Sequence, residues 1–97
     1  MEINKFINES EITIIPNGRL DSATSQEFND YIFDNFTEDF NKIVIDFSNV
    51  DYISSKGLRV LVTLFKSLNG RKMELINENA SVSEILRISG LKTIFEG

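Results

Sequence analysis

The run Lys42-Ile43-Val44-Ile45-Asp46-Phe47 constrains the fold more than any other stretch of the chain. Consecutive β-branched residues with no polar alternation describe a strand covered on both faces, the arrangement found in parallel sheets. A parallel neighbour requires a crossover, usually a helix, and the downstream sequence provides one. Leu58, Leu61, Val62, Phe65 and Leu68 fall on one helical face, and Asn69-Gly70 ends the helix, with Gly suited to the left-handed C-terminal position. Val60 and Leu64 lie off that stripe. Burial over a wide arc is expected for them, the alternative being an exposed apolar flank fit for a partner.

The other elements follow from the same kind of pattern. Lys5-Phe6-Ile7 and Ile12-Thr13-Ile14-Ile15 flank the polar turn Asn8-Glu9-Ser10-Glu11 and predict a hairpin. A loop is expected after Asn17-Gly18. Thr24-Ser25-Gln26-Glu27 then fits a capping box, with Phe28, Tyr31, Ile32 and Phe36 at helical spacing behind it. Ser48 to Lys56 is polar and turn-like. Met73 to Asn77 predicts a strand, Asn79 a cap for a helix through Val82, Ile85 and Leu86 that Gly90 stops, and Lys92 to Phe95 a last strand. The expected order is β-β-α-β-α-β-α-β in a single α/β domain spanning residues 1–97.

Composition narrows the chemistry. The chain has no His and no Cys, which removes the commonest general base, thiolate ligands, disulfides and every Ser-His or Cys-His nucleophile pair. An enzyme is therefore not expected, and neither a metal nor a cofactor. A net charge of −5, with no Lys/Arg cluster found to counter it, argues against nucleic acid and membrane surfaces as partners. The N-terminus lacks a signal-peptide pattern, so a cytoplasmic location is expected.

The segment that carries chemistry joins the β-branched strand to the apolar helix: Asp46-Phe47-Ser48-Asn49-Val50-Asp51-Tyr52-Ile53-Ser54-Ser55-Lys56-Gly57-Leu58-Arg59. Ser54 or Ser55 stands at the first turn of that helix. A helix N-terminus offers unpaired N–H donors and a partial charge of about half an electron, favourable for an anion. A hydroxyl there is either a plain N-cap, worth about 1 kcal/mol, or an acceptor for phosphate.

Ile53-Ser54-Ser55-Lys56-Gly57-Leu58-Arg59-Val60-Leu61 resembles the signature of STAS domains, the family of bacterial anti-sigma factor antagonists. Gly18-Arg19-Leu20-Asp21-Ser22-Ala23-Thr24 resembles the family's approach to its first helix, and Ser89-Gly90-Leu91 the motif after its third. The three occur in the family's order and spacing across nearly the whole chain. The resemblance implies a mixed four- to five-stranded sheet with helices mainly on one face. It also implies partner switching: the unmodified protein binds an anti-sigma factor that is a serine kinase, phosphorylation releases it, and a serine phosphatase restores it. Carried over by position, the acceptor is Ser55. Asp21 falls on the family's loop Asp beside it, and Ser54, Lys56, Gly57, Leu58 and Arg59 flank it.

Two positions depart from the pattern. Ser54 stands where many members have Asp, and Lys56 where Ser or Ala is usual. The Lys is either a solvated side chain or a partner for phosphate or for an acidic surface. The chain also stops soon after the last expected strand, where many members carry a further helix, so an edge or face is expected to be less covered. Rival expectations are a constitutive STAS interaction module, which Lys56 favours, and a weak nucleotide site at the Ser55 helix. Asp21, Asp46 and Asp51 as a Mg²⁺ site stand further back, since loop and cap carboxylates account for all three, and so does Asp46 as a receiver-type acceptor, which wants an acidic pair after an early strand and a longer chain.

Overall fold

The computed structural model describes residues 1–91; the strand expected over Lys92 to Phe95 lies outside the described residues. In chain order the elements are β1 (Glu2–Asn8), β2 (Glu11–Leu20), α1 (Ser25–Asn35), β3 (Lys42–Asp46), β4 (Val50–Ile53), α2 (Ser55–Lys66), β5 (Lys72–Ile76) and α3 (Ala80–Ile88). β1 and β2 form the expected antiparallel hairpin, closed so tightly that Asn8 pairs with Glu11 and Glu9 takes a positive φ of 55°. All other pairings are parallel, through the α1 and α2 crossovers.

β2 is longer than its apolar pattern suggests. Instead of entering a loop at Asn17-Gly18 it runs on to Leu20 and meets two parallel partners in succession. Glu11 to Ile14 pair with β3, and Gly18 to Leu20 pair with β4 across an irregularity at Gly18 and Arg19. Pro16 falls in the gap between these two pairings, where no ladder bond on that edge is there to lose. β4 itself replaces part of the polar turn expected over Ser48 to Lys56: Val50 and Ile53 are buried and Asp51 points to solvent.

The core lies between one face of the sheet and the helices. Ile12 and Ile14 of β2 and Ile43 and Ile45 of β3 are fully buried. Against them pack Phe28, Ile32 and Phe36 of α1, Leu61 and Leu64 of α2, and Val82 and Leu86 of α3. On the opposite face a row runs across the strands through Phe6, Thr13, Val44 and Glu74. Phe6 there is 63% exposed, which fits a mixed five-stranded sheet with its helices mainly on one side.

The buried face of α2 is rotated from the expected stripe. Gly57, Val60, Leu61 and Leu64 are buried, and Leu68 beyond the helix end with them. Leu58 and Val62 are only half-buried, and Phe65 is 38% exposed. Gly57 is the reason: having no side chain, it does not register in an apolar count, yet the helix lies close against the sheet there. A Cβ placed there would lie 2.8 Å from Ile53 Cγ1 and 3.1 Å from the Leu20 carbonyl oxygen. Val60 and Leu64 thus belong to the core, and the flank carries Leu58, Val62 and Phe65.

The helix starts divide as well. α3 begins as expected, with Asn79 Oδ1 accepting from Val82 N at 2.8 Å, and Gly90 follows its end with φ 78°. The capping box before α1 does not form. Thr24 makes no side-chain cap; its hydroxyl donates to the Arg19 carbonyl, while the Glu27 carboxylate accepts from the Met1 ammonium at 2.7 Å. Asp21, three residues before Thr24, takes the capping role instead.

Candidate functional site

Two loops leave the sheet side by side. Leu20 and Ile53 are register partners at the ends of β2 and β4, so Asp21 and Ser54 emerge together, tied by Ser54 N donating to Leu20 O at 2.8 Å. Asp21 and the Ser54-Ser55 pair, matched from separate parts of the sequence, therefore share one end of the sheet.

At the start of α2 the two serines do different work. Ser54 is the N-cap, with extended backbone (ψ 175°), its hydroxyl accepting from Gly57 N at 3.3 Å and its carbonyl from Leu58 N at 2.9 Å. Ser55 is the first helical residue; it is exposed, and its hydroxyl has no hydrogen bond among the described residues. The plain capping role thus falls to Ser54. Ser55 is left presenting a primary hydroxyl to solvent over the first turn, where backbone N–H groups converge and an anion is favoured.

The Asp21 loop is closed by hydrogen bonds. Asp21 Oδ1 accepts from Ala23 N at 2.9 Å and Thr24 N at 3.0 Å, and its carbonyl accepts from Ser25 N at 3.0 Å. These amide donors, that of Thr24 foremost, hold the Asp21 carboxyl below the usual carboxylate range. Its other oxygen lies 4.0 Å from Arg19 Nε, and the Arg19 guanidinium sits 4.4 Å from the centre of the Tyr52 ring. Arg19 and Tyr52 are register partners on β2 and β4, a juxtaposition the motif pattern did not expose. Only the pairing of β2 with β4, itself unexpected, brings them together.

Gly57 supports the site from beneath by letting the first turn of α2 rest on Ile53 and Leu20. Lys56 and Arg59 are exposed on either side of it and, with Ser22 and Ser25, line a groove between α1 and α2. Ser55, Leu58 and Val62 line a second groove on the other flank of α2, near Ser89 and Leu91. Asp46 is engaged elsewhere: although burial raises its pKa, donors from Ser48 N and Asn77 Nδ2 outweigh that, and the net shift is downward. Asp51 is exposed on β4, and no cluster of three or more carboxylates suited to a metal ion occurs among the described residues. Nor is any helix among them long and apolar enough to cross a membrane.

The STAS domain family model matches residues 2–96. A Thermotoga neapolitana protein named as a TM1081 homologue among the anti-sigma factor antagonists is 32% identical over 91 residues, covering 91% of this chain and 80% of its own length. In structure, an anti-sigma factor antagonist from Mycobacterium paratuberculosis superposes with a TM-score of 0.90 at 18% identity, covering 97% of this chain and 81% of that one. The Bacillus cell fate determinant SpoIIAA in its phosphorylated form gives a TM-score of 0.74 at 17% identity, over 95% of this chain and 86% of that one. At such identities the two superpositions speak for the fold.

Proposed function

We propose, from the premise that this chain belongs to the STAS domain family in its anti-sigma factor antagonist type, that it switches partners through Ser55. With the Ser55 hydroxyl free, the surface around it docks on an anti-sigma factor that is also a serine kinase. Phosphorylation of Ser55 breaks that complex, and a serine phosphatase resets it. Both partners act in the cytoplasm, where ATP and the sigma factor are found. The protein itself is a binding module whose hydroxyl is modified by others, in keeping with a chain that has neither His nor Cys to activate it.

The observation that carries this reading is the division of labour at the start of α2. Ser54 caps the helix, so Ser55 is under no structural obligation. A phosphate there carries a charge of about −1.5 to −2 and meets the positive end of the helix dipole, so the fold tolerates it. The cost arises only when a partner covers it, because burying an unpaired charge is unfavourable by several kcal/mol, and each 1.4 kcal/mol is about tenfold in affinity. The gate thus acts on the surface while the packing beneath stays as it is.

The test is the affinity of wild type, Ser55→Ala and Ser55→Asp for an anti-sigma factor serine kinase from the same genome. Wild type and Ser55→Ala are expected to bind alike, and Ser55→Asp at least about tenfold more weakly. Incubation with kinase and ATP should add one phosphate to wild type and none to Ser55→Ala. Equal binding by all three proteins refutes the gate. Binding by all three with no phosphate acquired would instead support a constitutive interaction module, the reading that Lys56 favours.

A further inference from the structure

Two cations stand within one helical turn of Ser55, and they face different sides of α2. Lys56, the next residue, lines the groove between α1 and α2 together with Ser22 and Ser25. Ser55 opens onto the groove on the other flank, with Leu58, Val62 and Ser89. Arg59 borders both grooves. Of the two cations, Arg59 is the one that shares a groove with the Ser55 side chain, although Lys56 is nearer in sequence.

Helix geometry makes that sharing specific. Residues four apart are surface neighbours, with Cβ atoms about 5–6 Å apart, whereas adjacent residues do not face each other. Side chains lean toward the helix N-terminus, so Arg59 leans back over the turn that Ser55 begins. An anion placed four residues before a cation is also the favourable order along a helix. Arg59 is exposed and has no ion pair among the described residues, so its guanidinium has no other anion to leave. The shared groove has no carboxylate in its lining. Its remaining polar groups are Thr63, Lys66 and Ser89, whose hydroxyl donates to the Leu86 carbonyl at 2.9 Å.

We infer that Arg59 is a phosphate clasp: once Ser55 is phosphorylated, the Arg59 guanidinium closes on the phosphate across one helical turn. The inference rests on the reading of Ser55 as an acceptor. Transfer of the γ-phosphoryl group of ATP to the Ser55 oxygen, with loss of the hydroxyl proton and release of ADP, creates three strong acceptor oxygens there. A planar guanidinium meets two such oxygens at once, which an ammonium does not. Lys56, on the far side, adds only charge at a distance. The clasp exists only in the modified protein, so it makes loss of the phosphate less favourable. Arg59 thereby serves retention of the phosphate, a task separate from its acceptance.

The test introduces phosphoserine in place of Ser55 during translation, so that no kinase is needed. The second ionisation of the phosphate is then followed by ³¹P NMR in the otherwise wild-type chain, in Arg59→Gln and in Lys56→Gln, each checked for native circular dichroism. That ionisation ordinarily falls at about pH 6, and with no His in the chain no other side chain ordinarily titrates there. With Arg59 present it should lie about one unit lower. Arg59→Gln should give back at least about half a unit, and Lys56→Gln less than about 0.2 unit. Equal values with and without Arg59, or equal changes on removing either cation, would overturn the clasp and leave the Ser55 gate standing. The gate fails separately: an anti-sigma factor kinase that leaves wild-type Ser55 unmodified removes the reading on which the clasp depends, even where the titration shows pairing.

Discussion

The starts of α1 and α2 emerge next to each other from the same end of the sheet, yet they are built on opposite lines. Before α1, nearly every polar group has a partner within the loop. Asp21 accepts from two backbone amides, Thr24 bridges Asp21 and Arg19, and the Ser25 hydroxyl donates to the Asp21 carbonyl. Before α2, one side chain makes a single long cap, and the next hydroxyl is left over. Saturation at a helix start holds the chain in place. A surplus polar group at an equally well-placed start is available for chemistry. The two connections differ in length, four residues before α1 and one before α2, and in how far their own side chains saturate the helix start.

Gly57→Ala should have the largest effect on stability. Its Cβ would meet Ile53 and the Leu20 carbonyl, lifting α2 off the strands that the two loops share. Overpacking of this kind typically costs about 1–3 kcal/mol, readable by urea denaturation. Next come the two caps: Asp21→Ala should lower the melting temperature more than Ser54→Ala, because it orphans two amides instead of one. Ser54→Ala should cost about 0.5–1 kcal/mol, at the lower end for caps given the length of the bond. Ser55→Ala should change stability by less than about 0.5 kcal/mol while abolishing phosphate acceptance. A loss for Ser55→Ala as large as that for Ser54→Ala would erase the distinction between the two serines.

The gentlest probe is pH. The Asp21 carboxyl titrates below 3.8 in the folded protein because its charged form receives amide donors. Its contribution to stability is therefore complete above the unfolded value and fades only as pH falls through the lower, folded value. Amide chemical shifts of Ala23 and Thr24 should report that titration, with a midpoint under 3.8. A midpoint above 3.8 would mean that the α1 start is less saturated than its geometry indicates.

Much of this architecture was readable from residue patterns. The hairpin, the buried run of β3, all three helices and the Asn79 cap follow from periodicity and turn chemistry, and the grouping of Asp21 with Ser55 from motif resemblance. The failures have physical causes. The capping box at Thr24 has the right residues at the right spacing, but each half is engaged elsewhere: the Thr24 hydroxyl donates to the Arg19 carbonyl, Glu27 accepts from the Met1 ammonium, and Asp21 accepts from the Thr24 amide that Glu27 would have served. β4 was hidden because only Val50 and Ile53 carry its apolar signal, with Asp51 and Tyr52 between them. The rotation of α2 was hidden because Gly57, which rests against Ile53 and Leu20, has no side chain to count. Of the site, the Ser55 position was legible, whereas the choice of Ser54 over Ser55 as the cap depends on one backbone torsion and hydrogen bond.

β2 is ten residues long and consults a different parallel neighbour at each end. At about 3.3 Å per residue it holds the Glu9-Ser10 turn roughly 30 Å from the carbonyl of Leu20. A dye, tag or tether fixed at that turn sits at the far tip of the molecule from any partner gripping Ser55. Traffic at the serine can thus be watched from the other end of the rod without standing in its way.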